Sequence, residues 1–480
     1  MSARSGRNPS DKAEEPSAPD AAANTLAHGV LPDPVIRDQR SEATFVFVQL
    51  DPTLAREGVT AWLRSVTGLV QELTAPAKIA RLASVAVGFG PSFFNGAGGP
   101  RFGLAPDRVP AGFSELPTVS ATDPLLHTDV VFYVMSLSQA LVARFLQGLA
   151  ATVPVIAGVT TASGFQRGDG RELGGFRDGL RNTTSTDRAS VVFVDREEAP
   201  DEPDWLQDGT YMAYLRVRED VEALTALPLE QQERIFGRRK EDGSRFDLPG
   251  GTPPKDEGPI GPAMPGDAHA AKAGPRGDHD DVAIFRRGVP YLQLSSSGKV
   301  VAGLHFVSFQ ARLANFEVIL NRWMLNPDFP KTGAGVDALF ARGLATIERA
   351  AFFVVPPADQ RFVGAPMFDP ARPPVPEIGR LIVHKKVVDS AGNPALVELG
   401  NIAFQVFSSD GQAIGPAFIT RSNGLAISPD IPMHQSLVLR ELAPPPNSDG
   451  AAEIPFTLTR HRDVQIVVNH RRQPGPYGGT

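Results

Sequence analysis

The chain has 480 residues, 42% of them hydrophobic before its 46 glycines are counted, and a formal net charge of -7. That is enough apolar material for two or three domains and excludes wholesale disorder, while the acidic balance excludes a general binder of nucleic acid or anionic membrane. Zero Cys excludes thiol nucleophiles, Cys-ligated zinc, iron–sulfur clusters and thiolate-bound haem, and no apolar run approaches the roughly 18 residues that a membrane helix needs.

Residues 1–40 are rich in Ser, Ala, Pro, Asp and Arg and show neither hydrophobic periodicity nor an apolar signal region. This predicts a solvated tail and a cytoplasmic protein, with the cell surface as the alternative. From Thr44 a β-rich run to Leu50 is followed by Leu54, Trp62, Leu63, Val66, Leu69 and Val70 at helical spacing. Strands at 85–89 and 130–134 precede a helix that Ser136 or Ser138 could cap, carrying Leu141, Val142, Phe145 and Leu149, and Val155-Ile156-Ala157 opens another strand. The order β-α-β-β-α-β is the ferredoxin-like pattern. It partly repeats, with strands at 211–217, 304–309 and 352–355 and helices within 221–236 and near 312–324. The expected class is therefore α+β, two ferredoxin-like halves over 41–372. Between Gly237 and Asp281 lies a long stretch dense in Gly, Pro, Asp and Lys, which is either functional or disordered. Beyond Pro376, short alternating strands separated by Ser-Ala-Gly-Asn, Ser-Asp-Gly and Ser-Asn-Gly turns predict a small all-β sandwich over 377–472, with 473–480 as a tail.

Gly175-Phe176-Arg177-Asp178-Gly179 places a carboxylate between glycines, where the backbone can turn sharply and approach a bound group. An ordinary Asp-Gly turn gives the same five letters. The surrounding blocks separate the two readings. They are His127 to Phe132, Asp208 to Met212, Gln231 to Arg238, Ile284 to Tyr291, Gly303 to Gln310 and Phe352 to Pro357. In this order, over residues 42–370, they resemble the dye-decolorising peroxidases, haem enzymes built from two ferredoxin-like halves.

The resemblance implies haem b as cofactor and hydrogen peroxide as oxidant, with phenolic or dye-like aromatics oxidised through a high-valent haem intermediate. It makes Asp178 the distal acid/base and Arg286, or its neighbour Arg287, the distal arginine, with Arg286 preferred by column. His269, in Ala268-His269-Ala270-Ala271-Lys272-Ala273-Gly274-Pro275-Arg276, becomes the axial iron ligand, although the family often has Ile-Arg where this chain has Ala270-Ala271. His279, among Asp278, Asp280 and Asp281, is the alternative. Asp337 matches the acid that takes the second N–H of the ligand, and Leu304 and Phe306 match the apolar distal wall, with plain core as the other reading. Trp62, Trp205 and Trp323 are the only indoles that could relay a hole, and each also reads as core. A haem-handling protein that removes iron or stores haem, and an adhesion or scaffold protein with a relic front domain, are the alternatives.

Gly379 to Lys385, Ile402 to Val406, Ser422-Asn423-Gly424, Leu439 to Pro444 and Ile466 to Asn469 resemble the prealbumin-like B-type repeats of Gram-positive surface adhesins and pilins. That resemblance implies a self-generated isopeptide bond from Lys385, Glu441 and Asn469, against the same sandwich without a crosslink. A protein or surface partner through this module and association into oligomers stay open.

Overall fold

The computed structural model describes Val35 and residues 39–470, except 75–82, 115, 120–123, 153–155, 184–190, 197, 255–256, 258–259, 275–281, 360, 369–377, 389–398, 421–423, 430, 434, 445–447, 449–452 and 459–461. The expected tails over 1–34 and 473–480, Val155, the candidate ligand His279, the Pro373–Pro376 linker and the Ser422-Asn423 turn lie outside the described residues. The chain divides into two compact units, Met1–Asn182 with Asp208–Ala365, and Thr183–Gln207 with Pro366–Thr480. Residues 183–207, inside the span expected for the first domain, are thus grouped with the second unit. Among the described residues no helix is long and apolar enough to cross a membrane.

The first half of the first unit contains β1 (Glu42–Leu50), α1 (Arg56–Thr74), β2 (Ala83–Phe89), β3 (Val130–Ser136), α2 (Gln139–Ala150) and β4 (Ile156–Phe165). Its antiparallel order β4-β1-β3-β2 is the ferredoxin-like one. Val59, Trp62, Leu63 and Val66 recur on one face of α1 and are buried. Trp62 meets Phe132 of β3 edge-on at 6.2 Å, and Phe132 meets Phe145 of α2 at 5.5 Å, so both helices cover one face of the sheet. The indole N–H of Trp62 donates to Thr152 Oγ1 at 3.1 Å, which gives this residue a packing role.

The second half repeats the plan with β5 (Thr210–Glu219), α3 (Val221–Ala226), α4 (Leu229–Phe236), α5 (His269–Lys272), β6 (Phe285–Arg286), β7 (Val289–Leu294), β8 (Val300–Gln310), α6 (Leu313–Glu317), α7 (Ala338–Ala341) and β9 (Ala345–Val355). Asp220 caps α3 by accepting from the Ala223 amide at 2.9 Å, and α4 ends at Gly237, whose φ of 72° suits glycine. β9-β5-β8 pair in that order, with β6 and β7 both on β8. Strands β6 and β7 carry no clear alternating pattern. Pro290 is tolerated in β7 because that strand pairs on one side only, with β8.

The halves join where Val354 of β9 pairs Phe89 of β2. The combined sheet curls back on itself, and at Gly164 of β4 a Cβ would collide with the Pro290 carbonyl and the Val289 side chain of β7 at 2.7 Å. Glycine permits that closure. Inside the curl stand Phe45, Phe47, Tyr133, Tyr214, His305 and Phe353, all buried.

Among the described residues after Gly237, ion pairs and carbonyl contacts add to a small apolar cluster of Met264, Ala268 and Ala271. Arg238 grips Glu257 with both terminal nitrogens, at 2.6 and 3.0 Å, and Arg245, 1% exposed, pairs Asp247 and donates to the Glu257 carbonyl at 3.0 Å. Buried charges of this kind hold geometry when fully paired. This is why a segment without hydrophobic periodicity is ordered.

In the second unit, β10 (Ile378–Val388), β11 (Ala403–Ser408), β12 (Ala413–Ile419), β13 (Leu425–Ile427), β14 (Ile431–Pro432), β15 (Ser436–Glu441), β16 (Glu453–Thr457) and β17 (Arg462–His470) form two sheets. One is β13-β10-β14 with β17 parallel to β10; the other is β12-β11-β15-β16. Leu381, Val383, Phe404, Val406, Leu437, Leu439, Phe456 and Val467 fill the space between them. Both expected architectures, paired ferredoxin-like halves and an all-β sandwich, are present.

Candidate active site

Strand alternation fixes the wall of the site. In the β5–β8 pair, Phe306 faces Leu215, Leu304 faces Val217 and Ala302 faces Glu219, so these six share one face. Leu304 and Phe306 are half-buried, and Phe306 lies 5.9 Å from Phe316. This largely apolar face ends in a carboxylate, Glu219.

His269 opens α5 at a bend, where its backbone leaves the polar stretch. Its Nδ1 lies 2.8 Å from Asp337 Oδ2, with the carboxylate fully buried and the imidazole 32% exposed. Asp337 is fixed in turn, because its other oxygen accepts the Leu339 amide at 3.0 Å as the N-cap of α7 and its own amide donates to Met324. Lys272, 0% exposed, donates to the carbonyls of Asn326 and Phe329 and ties α5 to the segment that delivers Asp337. Residues 68 positions apart thus meet as one pair. With Nδ1 engaged, Nε2 is the nitrogen left to bind a metal. Phe236 stands edge-on to His269 at 6.4 Å and stacks on Phe176 at 3.8 Å.

The Gly175 to Gly179 run belongs to a tight hairpin. Arg171 bridges Arg177, the Glu172 amide donates to Phe176, the Gly175 amide donates to Glu172, and the Asp178 amide donates to Gly170. Gly175 and Gly179, at φ of 86° and 72°, supply the left-handed turns. Asp178 is exposed, and across the hairpin sits Glu172, a residue the sequence did not single out. Burial pushes the Glu172 carboxyl well above its usual range, Asp178 and Glu219 push it further and Asp178 shares a hydrogen bond with it, while Arg286 pulls the other way. Three carboxyl groups and one guanidinium therefore act on one another here.

Arg286 takes its place from a reciprocal pair. Its amide donates to Asn182 Oδ1 at 2.9 Å, Asn182 Nδ2 donates back to its carbonyl at 2.8 Å, and its Nη2 donates to Leu180. Arg287 points to the opposite side, where it is 2% exposed and its Nη1 lies 2.9 Å from Met135 Sδ. Of the two arginines, Arg286 is the one that acts on Glu172. Trp205 and Trp323 are buried, the latter stacked on Phe329 at 5.3 Å.

Glu219 could have been suspected from the sequence as the charged end of an apolar alternation, Leu215, Val217, Glu219. Burial raises its carboxyl to about 7, Asp178 adds to the rise and His269 opposes it. A raised carboxyl favours folding while protonated. Its contribution is full below the usual Glu range and is lost as pH rises through about 7, a swing of about 3 kcal/mol at most. Urea unfolding of the protein from pH 4.5 to pH 8 should show that loss, and Glu219→Gln should flatten it.

An imidazole held by a buried carboxylate, an apolar strand face and an acid–arginine cluster thus stand on a double ferredoxin-like sheet. Residues 169–360 match the family model described as Dyp-type peroxidase, C-terminal. Deferrochelatases of Shigella sonnei and Escherichia coli K12 are each 30% identical over 230 residues, 44% of this chain and 54% of theirs, so the chain spans about half the length of these curated relatives. The crystal structure of a DyP-type peroxidase from Streptomyces coelicolor shares the fold with a TM-score of 0.57 and 24% identity, over 70% of this chain and 95% of that one. One from Cellulomonas bogoriensis does so with a TM-score of 0.57 and 21% identity, over 72% and 97%. Residues 169–360 thus resemble the DyP-type peroxidase family model, and the chain shares the fold of these solved structures.

Proposed function

We propose that the first unit, within residues 41–372, is a haem b peroxidase that uses hydrogen peroxide to oxidise phenolic or dye-like aromatic compounds. The observation that supports it most is the His269–Asp337 pair at 2.8 Å. The donor set fits haem: one nitrogen remains for iron, a fixed carboxylate raises its basicity, and Leu304 and Phe306 offer an apolar face to a macrocycle. Bound haem would supply an iron centre able to coordinate peroxide and store oxidising equivalents. Asp178, exposed at the open end of the hairpin, takes the proton from peroxide and returns it to the leaving oxygen, while the positive charge of Arg286 stabilises that departing oxygen. Burial pushes the Glu172 carboxyl well up, so it holds its proton beside Asp178.

The test is a haemin titration followed by turnover of a phenol and a dye with peroxide. A Soret band at one haem per chain and peroxide-dependent loss of the dye are expected. The 30% identity to deferrochelatases favours one second reading, iron removal from haem, in which metal-free porphyrin accumulates in place of oxidised dye.

For the second unit, over 377–472, we infer a prealbumin-like sandwich crosslinked within itself, able to present a surface to a protein partner. Lys385 follows Leu381 and Val383 on the inward face of β10, and Lys385, Glu441 and Asn469 are 2%, 1% and 3% exposed. Lys385 Nζ lies 2.6 Å from Asn469 Oδ1 and 2.8 Å from Glu441 Oε1, and Asn469 Nδ2 donates to Glu441 Oε2 at 3.0 Å. In this dry setting the Lys385 amine attacks Asn469 Cγ, Glu441 takes a proton from the attacking nitrogen and delivers one to the departing nitrogen, and an amide forms with release of ammonia. Intact-protein mass spectrometry should find the chain lighter by one ammonia, and Glu441→Gln should restore the full mass. An unshifted wild-type mass would dispose of the crosslink.

A further inference from the structure

The chain has 28 Phe and only 5 Tyr, yet Tyr133, Tyr214 and Tyr291 are all buried around the curled sheet, and with them a histidine, His305. Tyr214 Oη lies 2.9 Å from His305 Nδ1, with the two residues 1% and 2% exposed. The Ser163 backbone carbonyl holds a ring N–H of His305, which leaves Nδ1 as the acceptor and makes the phenol the donor. Phe45 and Phe47 pack on Tyr214 at 5.0 and 4.9 Å. Tyr291 lies 4.5 Å from His305, the guanidinium of Arg216 covers the Tyr291 ring at 4.6 Å, and Arg216 pairs with half-exposed Glu348 at 3.1 Å.

His305 stands between Leu304 and Phe306 on β8, and Tyr214 is next to Leu215 on β5. Both project from the opposite face of the two strands that build the apolar wall of the site. One sheet thickness separates the phenol–imidazole pair from that wall.

We propose that Tyr214 and His305 form a proton-coupled redox site that accepts an oxidising equivalent from the haem pocket, with Tyr291, covered by Arg216, as the next oxidisable ring beside His305. The inference rests on the haem peroxidase reading, which supplies the oxidant: haem oxidised by hydrogen peroxide. One electron passes from the Tyr214 phenol to the oxidised haem, and the phenolic proton moves along the existing hydrogen bond to His305 Nδ1. A neutral tyrosyl radical and an imidazolium result. An electron from an aromatic reductant, with return of the proton, restores both residues. The short hydrogen bond allows proton and electron to leave together, and the dry surroundings protect the radical from solvent. Burial, with Arg216 adding to it, holds the imidazole at about 4, so it is neutral near pH 7 and free to accept that proton.

The experiment is rapid-freeze EPR of the haem-loaded full chain after one equivalent of peroxide, with the visible spectrum recorded on the same sample. An organic radical signal that narrows when the protein carries ring-deuterated tyrosine, couples to one solvent-exchangeable proton and is lost in Tyr214→Phe at unchanged haem content supports the proposal. Loss of the exchangeable coupling in His305→Gln supports the role of the imidazole and serves if Tyr214→Phe does not fold. Oxidised haem without a tyrosyl signal, or with the same signal in Tyr214→Phe, overturns this inference and leaves the peroxidase reading standing. A visible spectrum unmoved by peroxide overturns both.

Discussion

Asp178→Ala is expected to lower kcat/KM for hydrogen peroxide by about 10²–10⁴-fold, the usual worth of a positioned acid/base group, with haem content unchanged. The proposal puts the proton transfer on this residue and not on the nearby carboxylates. Asp178 is exposed at the open end of the hairpin, whereas Glu172 and Glu219 are both pushed toward the protonated form by burial. Arg286, which opposes the rise at Glu172, brings positive charge to the same cluster. Stopped-flow reaction of the haem-loaded variant with peroxide reads the step directly. An undiminished rate would move the acid/base role to another group, with Glu172 first in line because it shares a hydrogen bond with Asp178.

His269→Ala should abolish stoichiometric haem binding. The Soret band of the wild type reconstituted with haemin should be absent in the variant, and added imidazole should restore part of it. The loss reaches beyond one ligand, because Asp337, fully buried, would lose the imidazole it faces at 2.8 Å. Asp337→Asn is the milder counterpart. It retains a hydrogen-bonding side chain and should keep haem while weakening ligation by about 10–100-fold, the usual cost of losing such an outer partner. A Soret band that survives His269→Ala would send the search to His279, the other histidine of the interval.

Much of the fold was legible because its signals are local. Trp62, Leu63 and Val66 announce α1 by spacing, and Phe45 to Val48 announce β1 by β-branched and aromatic composition. The second strand of the rear half was not legible, since Phe285-Arg286 and Val289 to Leu294 are short, interrupted by Gly288 and Pro290, and stabilised by pairing to β8. The polar stretch after Gly237 reads as loop or disorder for a similar reason. Arg238 and Glu257 order it by charge pairing, and such pairs leave no periodic mark.

At the site, residue type and neighbours in the sequence offered the glycine-flanked carboxylate at Asp178 and an inward lysine at 385, while its resemblance to the dye-decolorising peroxidases offered His269 and the adjacent arginines at 286 and 287. Only the tertiary structure decided which arginine acts on the acidic cluster. Consecutive strand residues point to opposite faces, so Arg286 joins Glu172 while Arg287 enters the curl beside Met135. It also added Glu172 and Glu219, whose raised carboxyls come from desolvation by segments far apart in the chain, and it brought His269 to Asp337 and Tyr214 to His305 across separations of 68 and 91 residues. Burial and charge–charge coupling depend on distance in space, and a linear chain fixes only distance along itself.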